Sequence, residues 1–434
     1  MFIVYTIIIN IYYKSIFYIT GILSNSILAP RMNSTDSKKL QNFLKDNSTL
    51  FNRIPPVRFS QSTQKLLSLI FIQIAKSYEI WKLNSNNISI TKYNKLNYDI
   101  SYYPTEIQET IISKISKFVS VSFNINNRNI VLQIGYTTHS DAQINNIIKL
   151  LYSWLFVCCT FANEKCSQTL TICLTLTKCK KNLPDNSNEF ISQINANTAY
   201  TYPCKENNVL HIYREEEYFK VFIHETFHSF GLDFSSVNNN NSNAKILKLF
   251  NANCDVRIFE TYCETWGELI NIMYIAHNST NWNSNCNKWL DTLIKKTEDM
   301  VYTEVKFSMF QCAKVLNYYN ISYIDFITNA PYNLSITEKY KDNTHVLSYY
   351  IIKSIFLFNL NEYITQCITI SGYTINFDKS NKIKENIEHY CNIVNKLYKN
   401  KQYMDMLEIL QNWFSSNISS KIVNNTLRMS IHDI

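Results

Sequence analysis

Glycine and proline are scarce, with 5 and 7 residues in a chain of 434. Their scarcity excludes a collagen-like repeat and a Gly/Pro-rich disordered chain. Twelve cysteines are present but no C-x2-C pair, which argues against a zinc finger or ribbon. No G-x-S-x-G, Walker A or G-x-G-x-x-G sequence occurs, so serine-hydrolase and P-loop readings lack support. The formal net charge is only +8. The small clusters Lys178, Lys180, Lys181 and Lys295, Lys296 form no basic stripe interleaved with aromatics. We read them as solvated surface charge and expect no nucleic-acid partner. No internal repeat is visible.

Hydrophobic side chains, by contrast, make up 46% of the chain, enough for a sizeable core and for one large domain or two to three smaller ones. Asn, Ile, Lys and Tyr crowd the sequence, the composition of an AT-rich coding region. That bias also generates N-x-S/T sequons by chance, as at Asn33, Asn278, Asn333 and Asn417. A core of this size does not need disulfides, so reduced thiols are expected, with an oxidising compartment left open. Residues 1–30 are strongly apolar apart from Lys14. They fit a membrane anchor or signal peptide, or else a stretch upstream of a true start at Met32. The expected compartment follows from that choice: cytoplasmic with Met32 as the start, membrane-associated or secreted if residues 1–30 belong to the protein. A membrane enters only through this segment.

Periodicity changes along the chain. Leu66, Leu67, Ile70, Ile74 and Ile80 recur at helical spacing within 60–81, and a second helix is expected over 105–117, after Pro104. Val119, Val121 and Phe123 then alternate with polar residues, 126–129 reads as a turn, and 130–136 resumes a strand. Ser140 with Gln143 forms a capping-box sequence opening a helix to about residue 162. Strands are expected at 169–177, at 198–202 as a sheet edge ending at Pro203, and at 209–213. Three acids follow, Glu215, Glu216 and Glu217, which favour a helix start. Beyond Gly231 and a polar loop, helices are expected near 255–276, 286–318, 345–358, 381–398 and 402–416. The fold class is α+β, a mixed region followed by a helical one.

Chemistry concentrates in His224-Glu225-Thr226-Phe227-His228. Residues four apart share a helix face, so the two histidines project together as metal ligands. Glu225 can reach a metal-bound water as general base. Phe219, Phe222, Ile223 and Phe230 form the opposite, buriable stripe, and Gly231 suits the helix end. Zinc needs a third protein ligand and leaves a fourth position for water. In the compact H-E-x-x-H-x-x-G-x-x-H pattern Gly231 is in register, but the ligand position holds Phe234, with Asp233 one residue early. The other source is F-E-T-Y-C-E-T-W-G-E-L-I-N, where Glu260, Glu264 and Glu268 recur every four residues on an otherwise apolar helix. Three acids there are costly to bury unless positive charge meets them. His211 and His277 read as structural.

The pair H-E-T-F-H and, about 36 residues on, E-T-W-G-E resembles the gluzincin branch of the HExxH metallopeptidases. The stretch R-E-E-E-Y-F-K-V-F-I-H-E-T-F-H-S-F-G-L-D-F through E-T-Y-C-E-T-W is also similar to predicted metallopeptidases of large DNA viruses. The resemblance covers about residues 130–280. It implies a zincin-like mixed sheet carrying the HExxH helix, and one Zn2+ per chain held by His224, His228 and Glu264 with Glu268 behind them. A register one turn earlier, Glu260 as ligand and Glu264 as its partner, fits E-T-Y-C-E nearly as well. It further implies Glu225 as the catalytic base in hydrolysis of a protein or peptide substrate. A non-catalytic interaction or scaffold protein on the same fold is the alternative. The expected organisation is an apolar segment at 1–31, a mixed region at 32–125, a metal-site core at 126–280 and a helical subdomain at 281–434.

Overall fold

The computed structural model describes residues 34–186, 188–283, 285–378, 382–417 and 419–434, and the apolar segment 1–31 lies outside the described residues. Six strands build one mixed sheet: β1 (Ile90–Tyr93), β2 (Lys117–Ile125), β3 (Arg128–Tyr136), β4 (Thr169–Thr175), β5 (Ala199–Thr201) and β6 (Asn207–Ile212), in the order β1-β2-β3-β4-β6-β5. β3, β4 and β6 run parallel; β1 and β2 add an antiparallel ribbon at one side, and β5 is a short antiparallel edge at the other. Helices α1 (Thr35–Asp46), α2 (Gln61–Asn84), α3 (Thr105–Lys114) and α4 (Asp141–Phe161) precede or interleave with these strands.

Strand alternation gives the sheet two faces. Val119, Val121, Ile130, Leu132, Leu170 and Ile172 enter the main core. Phe118, pointing the other way, joins a smaller cluster with Ile107 and Ile111 of α3 and with Tyr103 and Tyr213. The main core runs from Leu40 to Ile431, so the sheet and the helical region share one interior. α4 opens at the capping box foreseen at Ser140 and Gln143, with both reciprocal hydrogen bonds present. Among the described helices only α4 is long and apolar enough to cross a membrane. It packs instead against α2 and the sheet, with most of its length buried.

α5 (Tyr218–Ser229) leaves the sheet after β6 and is buried along its whole length. Trp154 of α4 fixes it by donating from Nε1 to Thr226 Oγ1 at 2.6 Å and stacking on Phe227. A Schellman turn ends α5: Leu232 N donates to Phe227 O, and Gly231 N to His228 O. Gly231 has φ +64°, and a Cβ there would stand 2.9 Å from Cys166 Sγ. Glycine is required on both counts. Cys166 and Cys204 form a disulfide, contrary to the expectation of reduced thiols. Core size bears only on the need for a cross-link, whereas here the loops before β4 and after β5 bring two side chains into contact. The other ten cysteines are free.

α6 (Ile258–Asn278) and α7 (Cys286–Tyr318) follow. The expected helix over 345–358 opens with a π-helical turn, Leu347–Ile352, and continues as α8 (Lys353–Phe358). α9 (Leu360–Ser371), α10 (Ile383–Leu397) and α11 (Lys401–Ser416) complete the longer helices. Residues 426–434 then thread back into the interior, burying Met429 and Ile431.

The three acids before α5 do not cap it. Glu217 makes no side-chain cap bond; it pairs with Lys181 and accepts from Met429 N (3.0 Å) and Ser430 N (2.6 Å). Glu215 pairs with Lys178 at 2.5 Å, and Glu216 accepts from Lys181 N at 2.8 Å. Burial opposes the charge on Glu217, but Lys181, Lys220 and Arg428 outweigh it and hold the carboxyl down at about 2. A depressed carboxyl stabilises the fold fully above its ordinary value of 4.5, and that contribution is lost as pH falls towards 2. Glu217→Gln should remove on the order of 3 kcal/mol at neutral pH. In urea unfolding, the gap between variant and wild type should close as pH is lowered from 4.5 to 2. A gap constant over that interval would show that the charge contributes nothing.

Candidate metal centre

α5 and α6 cross antiparallel, with Lys220 level with Glu264, and both histidines level with Glu260. The crossing is close at Gly267: a Cβ there would be in van der Waals contact with α5, 3.4 Å from Lys220 O and 3.6 Å from His224 Cβ. The result is a convergence of three donor atoms. His224 Nε2 lies 3.2 Å from His228 Nε2 and 3.0 Å from Glu260 Oε2, and His228 Nε2 lies 3.4 Å from the same oxygen. Donors around a tetrahedral ion with bonds of about 2.0–2.1 Å stand roughly 3.3–3.4 Å apart. The three residues could therefore hold a metal ion.

Each of them is gripped from behind. His224 Nδ1 donates to Glu264 Oε2 at 2.9 Å, while Glu264 Oε1 receives the Lys220 ammonium. His228 Nδ1 donates to Asp233 Oδ2 at 2.6 Å. Glu260 Oε2 accepts from the Tyr349 hydroxyl at 3.2 Å, presented by the π-helical turn. Such partners fix ring orientation and tautomer. His228, Asp233 and Cys263 also lie close enough to count as a second donor group. A separation of 2.6 Å is a hydrogen bond, however, too short for two ligands of one ion, so Asp233 orients His228.

Burial disfavours charge on His224, but the carboxylates of Glu260 and Glu264 at its two nitrogens outweigh this and raise it to about 9. Burial pushes the Glu225 carboxyl up, against the opposing pull of the two histidines. Among the described residues that carboxyl has no hydrogen-bond or ion-pair partner.

The structure thus brings together His224, Glu225, His228, Glu260 and Glu264, but in the earlier of the two registers. Glu264 is not at the convergence. The antiparallel crossing sets Glu260 between the two histidines and leaves Glu264 a turn behind, on the far nitrogen of His224. Glu268 touches no donor of the centre; it pairs with Lys353 of α8 at 2.5 Å. Phe234 is buried among aromatics. His211 bonds Tyr103 (2.8 Å) and stacks on Tyr200, and His277 stacks on Tyr78; neither faces the centre.

Sequence reasoning missed Lys220, Lys353 and Tyr349, and it weighed Asp233 only as a ligand. Lys220 had a legible signal, since it continues the His224, His228 spacing one turn back. Tyr349 had none among 30 tyrosines. Compared with protein-family models, curated proteins and solved structures, the chain finds no significant match.

Metal content after chelator-free purification should fall most in His224→Ala, His228→Ala and Glu260→Ala. Loss of an orienting partner typically costs about 10–100-fold in affinity, so Glu264→Ala should be milder and Glu268→Ala mildest. Full retention in Glu260→Ala with loss in Glu264→Ala would reverse the assignment.

Proposed function

We propose that the chain is a zinc-dependent peptidase of the HExxH type, with His224, His228 and Glu260 as ligands and Glu225 as general base. One observation carries this reading: three donor atoms at tetrahedral spacing converge beside a buried carboxyl that, among the described residues, has no hydrogen-bond or ion-pair partner. Two imidazoles and one carboxylate suit Zn2+; Ca2+ and Mg2+ take six or more ligands, mostly oxygen. When bound, zinc lowers the pKa of a coordinated water towards neutrality and polarises a carbonyl.

The chain's own residues supply the rest. Glu225 accepts a proton at its carboxylate and delivers it to the leaving amine. The Tyr349 hydroxyl donates to Glu260 Oε2 at 3.2 Å, and by exchanging that hydrogen bond for one to a peptide oxygen it would stabilise the negative charge developing there. β5 offers an edge along which an extended peptide pairs through its backbone, which gives little side-chain selectivity. A mixed sheet with an antiparallel edge strand leading into the HExxH helix accords with the mixed sheet that the gluzincin resemblance implies, and it supports the same reading.

One observation favours a second reading, a non-catalytic scaffold holding a structural ion. His224, Glu225, His228 and Glu260 are only 6–8% exposed, so the centre is enclosed. Against this stands Glu225, which metal binding alone does not require.

The wild-type protein should carry about one zinc per chain, and His228→Ala none. Glu225→Gln should keep zinc and fold while losing hydrolysis of a mixed peptide library by roughly 10²–10⁴-fold. Tyr349→Phe should lower kcat more than it alters KM. Zinc-loaded wild type that cleaves nothing selects the scaffold, and wild type without zinc overturns both readings.

A further inference from the structure

Lys220 lies one turn before His224 on the same face of α5, and its side chain is only 1% exposed. Removing an ammonium from water costs several kcal/mol unless close partners offset it. Its hydrogen-bond partners are Glu264 Oε1 and, at 3.7 Å, Met429 Sδ, and the carboxylates of Glu217 and Glu268 also favour its charge. A rival cation stands near the same oxygen. Lys353 Nζ is 4.0 Å from Glu264 Oε1, while it pairs with Glu268 at 2.5 Å and donates to Met429 O at 2.7 Å. Glu264 therefore sits between two ammonium groups on different helices. Both flank Oε1, with Lys220 the closer of the two, while the second oxygen, Oε2, lies on His224 Nδ1.

We propose that Lys220 is a positioning residue of the metal centre: by holding Glu264 Oε1 on the α5 side, it keeps Glu264 Oε2 on His224 Nδ1 and so aims His224 Nε2 at the ion. The inference rests on the metal reading above. The ring cannot rotate about its Cβ without breaking the hydrogen bond to Glu264. Without Lys220, Lys353 becomes the cation nearest both Glu264 and Glu268. Glu264 then turns towards α8 and releases the ring.

The test uses the full chain and four variants: Lys220→Met, which keeps length and removes charge, Lys220→Arg, Glu264→Gln, and the double variant Lys220→Met/Glu264→Gln. Zinc affinity is read by competition with a chromogenic chelator, and ligand geometry by the visible spectrum of the Co2+-loaded protein. Lys220→Met should weaken zinc roughly 10-fold or more, within the range for orienting groups, and shift the Co2+ bands. Lys220→Arg should recover most of the loss. The double variant should bind no worse than Glu264→Gln alone, because both act through one hydrogen bond.

A folded Lys220→Met protein with wild-type affinity and spectrum overturns the proposal, since a merely structural ion pair lowers the melting temperature without moving either readout. Losses that add in the double variant overturn it as well. Should Lys220→Met fail to fold, a further charge-removing variant, Lys220→Gln, carries the test: it must alter the Co2+ spectrum in the wild-type background and leave it unchanged beside Glu264→Gln. Wild type that takes up neither zinc nor cobalt fails the metal reading itself, a result distinct from wild type and Lys220→Met binding alike.

Discussion

Where α5 crosses α6, two rows of polar groups meet inside an apolar core. One row is Lys220, His224 and His228; the other, running the opposite way, is Glu268, Glu264 and Glu260. The helices approach closely here, so that a Cβ at Gly267 would already touch the α5 backbone. A third row runs beside them, with Tyr349 on Glu260 and Lys353 on Glu268. No member of this lattice would be tolerable alone, because an unpaired buried charge is strongly destabilising. Their mutual distances make burial affordable, and those distances are set by the crossing.

The rest of the fold holds that crossing in place. Trp154 pins the middle of α5 through Thr226. Glu217 ties its start to Lys181 and to residues 429 and 430. The Schellman turn at Gly231 reverses the chain, which returns Asp233 to His228 two residues later. The Cys166–Cys204 disulfide packs beneath that turn, and Cys204 N donates to the carbonyl of His228 at 3.0 Å. The donor geometry is thus fixed from both ends of one buried helix.

Periodic features were legible in the sequence because they are local. Alternation located β2, β4 and the edge strand β5, the Ser140 and Gln143 pair located the start of α4, and the i, i+4 histidines located one side of the centre. The register of the third donor was not legible. Glu260 and Glu264 both lie on the right face of α6, and only the packing of two helices distant in sequence decides which acid stands level with both histidines. The π-helical turn that aims Tyr349 leaves no compositional mark. β1 is four mostly exposed residues without alternation, so periodicity had nothing to detect. The disulfide partners are 38 residues apart, and their proximity is a property of loop packing.

The charged lattice restricts how this protein can change over generations. Lys220 cannot become apolar while Glu264 stays ionised beside His224, and Lys353 is bound to Glu268 in the same way. Replacing a buried ion pair by two well-packed apolar residues is often neutral or stabilising, whereas removing one member strands its partner. Drift at these positions therefore proceeds in couples: Lys353 and Glu268 are each other's nearest charged partner, while Glu264, shared between Lys220 and His224, is tied to two partners at once. Related chains should show 353 and 268 varying as a unit and 264 as the slowest position on α6 after the residue at 260.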